Sequence, residues 1–170
     1  MISDLQFTSI VKDYYDDVYR FAYSLAGNTI DAEDLTQQAF LRLANKSSQI
    51  KDINKVKSWM FTVLRNEFLD AMRKKAKYPH VEISPTYDTE DSAPTPSGKA
   101  DWQTAVQALQ QLPLIFREPL ALFYLEGYTY KEIAQILNQA PGTIMSRLSR
   151  GKARLQKFLQ EPSPSVKPLN

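Results

Sequence analysis

The chain has 170 residues, 21 basic against 19 acidic side chains, and no cysteine. That length allows one domain or two small ones, the near balance of charge leaves the partners open, and the missing thiols exclude both a disulfide frame and a thiolate zinc site. No signal-peptide pattern opens the chain and no apolar run nears the ~20 residues that span a bilayer, so a soluble, cytoplasmic protein is expected, without membrane insertion.

Helical periodicity dominates from the start. A first helix is predicted over about Asp4 to Leu25, with Leu5, Ile10, Tyr14, Val18, Phe21 and Leu25 on its apolar side and Gly27-Asn28 as its stop. A second, over about Asp31 to Asn45, buries Ala32, Leu35, Ala39, Phe40 and Leu43. Its residues Asp34, Gln37, Gln38 and Leu41 follow the i, i+3, i+4, i+7 spacing of a stripe pointing the other way. A leucine inside a polar stripe is either a docking contact or an ordinary stray surface leucine. The acids Asp31, Glu33 and Asp34 lie at a helix N-terminus, where carboxylates are favourable anyway, and no metal is expected there. Up to Ala44 three basic residues face seven acidic ones, a net of −4.

From Asn45 to His80 the sign reverses, nine basic residues against three acidic, a net of +6. A polar connection from Lys46 to Asn54, with Ser47 and Ser48, leads into a long helix over Val56 to Lys77. Trp59, Met60, Val63, Leu64, Phe68 and Met72 supply its apolar contacts, beside Lys55, Lys57, Arg65, Arg73, Lys74, Lys75 and Lys77. Aromatics next to cations suit single-stranded nucleic acid, because bases stack on rings while cations follow phosphates. Composition alone places Trp59 in the core more readily than on a base.

Periodicity then stops from Tyr78 to Ala100, where prolines, Ser, Thr and acids read as an extended linker. Roughly 22 extended residues reach about 75 Å, enough to set two domains two turns of duplex apart at about 35 Å per turn. Asp101 is expected to cap a helix through Leu112, and Pro113 to restart the chain into a helix from Leu114 to Glu126 closed by Gly127. Pro119 predicts a late or irregular start to that helix. The tail from Glu161 is expected to be disordered.

Between them, Thr129 to Phe158 read as a helix, a tight turn and a second, basic helix. Thr129 and Glu132 form a capping box, Ile133, Ala134, Ile136 and Leu137 point inward, and Asn138 closes the helix in the left-handed conformation. Pro141 suits the first turn of the next helix, whose Ile144, Leu148, Leu155 and Leu159 share a side. Thr143, Arg147, Arg150, Arg154 and Lys157 line an adjoining flank, and Thr129 to Gln160 carry a net of +5, six basic residues against one acid. This is a helix-turn-helix whose second helix enters a DNA major groove, rather than an amphipathic helix kept soluble by its arginines.

Four stretches, DAEDLTQQAFLRL (31–43), SWMFTVLRNEFLDAMRKK (58–75), LPLIFREPLALFYLEGYTYKEIAQIL (112–137) and GTIMSRLSRGKARL (142–155), together resemble the extracytoplasmic-function sigma factors of bacteria. The resemblance implies an all-α fold with two small helical domains: a sigma region 2 domain over 1–78 and a sigma region 4 helix-turn-helix domain over 101–160, joined by a linker over 79–100, with a tail over 161–170. It implies a promoter-specificity subunit of RNA polymerase that needs no cofactor. By motif, Asp34, Gln37, Gln38 and Leu41 would dock on the clamp helices of the largest catalytic subunit of core polymerase. Lys46, Ser47, Ser48, Lys55, Lys57, Ser58, Trp59, Arg65, Asn66 and Arg73 would open the minus-ten element and hold a flipped base. Lys131, Thr143, Ser146, Arg147, Arg150 and Arg154 would serve the minus-thirty-five element. An anti-sigma factor is implied as a further partner. The chain departs from the family in Met145, where Lys is frequent, in Asn138, where Gly is frequent, and in a Pro141 that falls one place late.

The competing reading is a stand-alone helix-turn-helix regulator binding paired half-sites as a dimer. An enzyme is remote, since the single histidine, His80, lies at the linker edge and no nucleophile is paired with a base.

Overall fold

The computed structural model describes residues 2–77 and 99–160, so most of the expected linker, with His80, and the whole expected tail lie outside the described residues. Seven α-helices follow in order: α1 (Asp4–Ala26), α2 (Thr29–Lys46), α3 (Val56–Lys77), α4 (Lys99–Gln110), α5 (Leu114–Tyr124), α6 (Tyr130–Leu137) and α7 (Pro141–Gln160). The described residues contain no strand.

α1 begins at a capping box between Ser3 and Gln6 and ends at Gly27, whose φ of 78° is the left-handed stop that glycine adopts without strain. α2 starts earlier than its periodicity predicts, because Asn28 accepts from the Asp31 backbone N–H and draws Thr29 and Ile30 into the first turn. Phe21, Leu25, Leu43, Met60, Phe61 and Leu64 fill the space between α1, α2 and α3, and the Phe21 and Phe61 rings meet edge to face at 5.0 Å. Two expected core positions fall outside it. Leu5 is 86% exposed in the first turn of α1, and Met72 is exposed because the last turns of α3, 70–77, project into solvent.

The second unit is built around α5. α4 begins at Lys99, so Asp101 lies inside the helix rather than capping it, and the helix ends at Gln110, short of Leu112. α5 starts at Leu114 in spite of Pro119, with the N–H groups of Phe116 and Arg117 both turned to the Pro113 carbonyl. The proline removes the N–H that would otherwise serve the Ile115 carbonyl. The Pro119 ring itself is buried beside Leu120, Ala121 and Leu122. α6 has only eight residues, too few to hold alone, and depends on the Thr129–Glu132 box, Asn138 at φ 50° and four buried side chains. Ile144 and Leu148 of α7 are buried, whereas Leu159 is 66% exposed at the helix end. Gly151 marks the crossing of α7 over α5: a Cβ there would lie 2.8 Å from the Leu120 side chain and 3.1 Å from Phe116.

The two units are packed together. Gln110 donates to the carbonyls of Tyr23 and Ser24 at 3.1 and 2.6 Å, and Arg117 to that of Leu25 at 3.0 Å, so side chains of α4 and α5 serve the end of α1. Phe61 meets Tyr128 edge to face at 5.7 Å, and the Thr62 hydroxyl donates to the Ile136 carbonyl at 3.1 Å. One contiguous apolar core runs through both units.

Candidate nucleic-acid interface and docking stripe

Asp34, Gln37, Gln38 and Leu41 are all exposed on α2, opposite buried Ala32, Leu35, Ala39 and Leu43. Leu41 keeps 56% of its surface, and none of the four has a polar partner among the described residues. The helix beneath them is held elsewhere: Arg42 pairs with Glu67 of α3 at 2.8 Å. No group of acidic or histidine side chains among the described residues is arranged to hold a metal.

The connection after α2 folds as two 3₁₀ turns, Ser47–Gln49 and Ile53–Lys55. With Trp59 it encloses an open groove of about 430 Å³, lined also by Lys46, Gln49, Ile50, Lys51, Asp52 and Lys55. Trp59 therefore does two things: one side packs on the core, as composition predicts, and another borders the groove. Gln49, Ile50 and Lys51 belong to the 46–54 connection, though no motif singles them out individually. Lys46, Ser48, Lys55, Asn66 and Arg73 are exposed, and Ser47 and Ser58 half-buried. Ser58 donates to the Lys55 carbonyl at 3.0 Å, and Arg73 pairs with Asp70 at 2.8 Å.

Besides Arg73, two cations of this set are engaged by residues distant in the chain. Arg65 donates to Glu118 of α5, and Lys57 lies 2.6 Å from Asp17 and 3.8 Å from Glu126, which also accepts from Arg20 at 3.0 Å. Burial pushes the Glu118 carboxyl above the ordinary range, against the pull of Arg65, Arg147 and Arg117. Burial does the same to Glu126, with Asp17 adding to it and Arg20 and Lys57 opposing. Neither acid carries a sequence signal for this role.

On α7, Thr143, Ser146, Arg147 and Arg150 line an open groove of about 450 Å³ with Ile115, Phe116 and Gly142. Thr143 and Arg147 are half-buried at its floor, and Ser146 and Arg150 exposed at its rim. Arg154 is exposed one turn on, its guanidinium 4.9 Å from the Phe116 ring, and Lys131 is exposed on α6. Met145 borders a different groove, with Phe123, Tyr124 and Tyr130, so the departure there leaves the Arg147 groove unaltered. Cationic side chains over a concave helix face suit the phosphates and base edges of duplex DNA.

Residues 10–78 match the family Sigma-70 region 2, and residues 103–155 match Sigma-70, region 4. The ECF RNA polymerase sigma factor SigM of Bacillus subtilis is 33% identical over 153 residues, covering 86% of this chain and 91% of its own. SigE of Mycolicibacterium smegmatis, also an ECF RNA polymerase sigma factor, is 35% identical over 91% of this chain, which spans 62% of that relative's length. Among solved structures, the sigma factor RpoE of Bartonella quintana, in complex with the anti-sigma factor NepR, superposes with a TM-score of 0.75 at 31% identity over 92% of this chain and 98% of its own. CnrH, in complex with the cytosolic domain of CnrY, shares the fold at a TM-score of 0.68 and 17% identity, over 95% and 92% of the two chains. No helix among the described residues is long and apolar enough to cross a membrane.

Proposed function

The chain belongs to the ECF RNA polymerase sigma factors, the promoter-specificity subunits of that enzyme, and from that premise we propose how its exposed faces divide the work. Asp34, Gln37, Gln38 and Leu41 dock on the clamp helices of core polymerase. The Trp59 groove holds an opened strand of the minus-ten element, flanked by Lys46, Lys55 and Arg73. The α7 groove reads the minus-thirty-five element as duplex through Thr143, Ser146, Arg147 and Arg150. The domains lie over 1–78 and 101–160, and an anti-sigma factor is a further partner, supported by the solved relative captured with one.

The observation that carries this reading is the α2 stripe. An exposed leucine among three unpartnered polar side chains, on a helix well held from its other side, has no use within the fold itself. Docking through it joins both DNA contacts on one rigid body, which makes the second contact intramolecular and raises effective affinity without a new base contact. The free chain, with its acidic first segment, should bind promoter duplex weakly and with steep salt dependence.

A footprint at physiological salt with and without core polymerase tests this. Specific protection is expected only with core enzyme, and Leu41→Arg should abolish it while leaving helicity intact. Strong specific protection by the chain alone, indifferent to Leu41→Arg, would overturn the docking assignment.

A further inference from the structure

α7 has more than one face open to solvent. Ile144, Leu148 and Gly151 are buried and fix the side that the helix turns to its own unit. At about 100° per residue, Ser146 lies opposite them, with Ser149 and Arg150 about 50° to either side of it and Met145 and Arg154 about 90°. All five are exposed. The flank of Arg150 and Arg154 already has its place in the upstream contact. The Met145 flank has none, although exposed Lys152 follows Met145 and Ser149 along it at the i, i+4, i+7 spacing. A helix seated in a major groove meets base edges with its outward side and a phosphate strand with each flank, so cations on both flanks suit that seat.

Among the described residues, Met145 is the only large hydrophobic side chain that α7 exposes before Phe158, and it keeps 54% of its surface. It stands in the second turn of the helix, near the end that approaches base edges in this motif. Phe123, Tyr124 and Tyr130 border one shallow hollow of about 370 Å³ with it, the Phe123 ring stacked on Tyr130 at 5.7 Å, so its setting is apolar. A thioether has no proton to donate and accepts only weakly, and it gains nothing from the amino, keto or ring-nitrogen groups of a base edge. One base alone offers it a partner, since thymine shows a methyl group in the major groove. We propose that Met145 reads a thymine of the minus-thirty-five element through its 5-methyl group, with Lys152 on the adjoining phosphate strand. The inference rests on the placing of that element on α7, and it adds an apolar reader beside Arg150.

The probe is a set of promoter duplexes with a randomised upstream element, from which polymerase carrying the native chain selects at physiological salt. Thymine is expected at one position that the Met145→Lys chain no longer enriches, while the positions read by the rest of α7 keep their preference. In the selected duplex each upstream thymine is then replaced in turn by deoxyuridine, which keeps the base pair and loses only the methyl group. One replacement should weaken binding by the native holoenzyme about fourfold, the worth of a single buried methyl group. With Met145→Ala the same replacement should leave affinity unchanged, and Met145→Leu, still apolar, should keep most of the native difference. Lys152→Ala should weaken binding of all selected duplexes alike, as loss of a phosphate contact does.

Native binding that no deoxyuridine weakens overturns the proposal without recourse to any variant. So does a penalty that persists in full with Met145→Ala. A Met145→Ala chain that binds core polymerase more weakly, yet separates thymine from deoxyuridine as the native chain does, overturns it too and assigns the residue to a protein partner. If selection enriches no upstream sequence at all, the placing of that element on α7 fails and this inference with it. An enriched element whose thymines are all indifferent to deoxyuridine removes Met145 alone and leaves that placing intact.

Discussion

Arg65 of α3 donates through Nε to a carboxylate oxygen of Glu118 on α5 at 2.9 Å, joining a half-buried guanidinium to a buried carboxylate 53 positions away in the chain. Such a pair adds little over an apolar one, but removing a single partner strands the other charge, at a cost of about 3 to 5 kcal/mol. Arg65→Met should therefore lower stability by about 3 kcal/mol or split urea unfolding into two steps, one for each small unit. A single transition at the native midpoint would show that the pair contributes nothing.

The raised carboxyl of Glu118 gives stability a definite slope with pH. Burial is the main cause, and Arg65, Arg147 and Arg117 oppose it. In the unfolded chain the group titrates near 4.5, so between that value and its raised folded value the folded chain holds more protons. This contribution is fully present below pH 4.5 and is lost as pH rises through the folded pKa. Glu118→Gln, neutral throughout, should remove that part of the slope. Thermal unfolding of both chains across mildly acidic to neutral pH decides it: parallel curves would rule out a raised Glu118.

Arg147→Ala and Arg150→Ala should each weaken use of the upstream promoter element, a good base contact being worth about 1 to 3 kcal/mol. Lys157→Ala, farther along α7, should weaken binding equally on all sequences. The check is transcription from promoters with intact and scrambled upstream elements. If scrambling costs the arginine variants as much as it costs the native chain, these arginines are not the readers.

Trp59→Ala should impair open-complex formation more than polymerase binding, because the ring borders the groove formed by the 46–54 connection. A promoter with a pre-melted bubble should rescue it, the unstacking cost of a few kcal/mol having been met in advance. Loss of helicity without rescue would assign Trp59 to the core alone.

The helix-turn-helix was legible because its signals are local. The Thr129–Glu132 box, Asn138 and Pro141 each fix a terminus within four residues, and the structure places all three as their chemistry predicts. The α2 stripe was legible for a similar reason, a period read against one buried face. Pro119 misled because a residue that breaks a helix in isolation is tolerated where its ring is buried among core side chains. Glu118, Glu126 and Gly151 were invisible for another reason. Their roles depend on which side chain arrives from 31 to 106 positions away, and neither spacing nor composition carries that information.

The last turn of α1 has a further property. Its carbonyls at Tyr23, Ser24 and Leu25 are met by Gln110 and Arg117 rather than by residues of the adjoining chain alone. α1 thus borrows part of its C-terminal cap from the second unit. Any separation of the units would return those carbonyls to water and let the terminal turn fray, so that the amides of 23–26 would exchange their hydrogens in proportion to the open population.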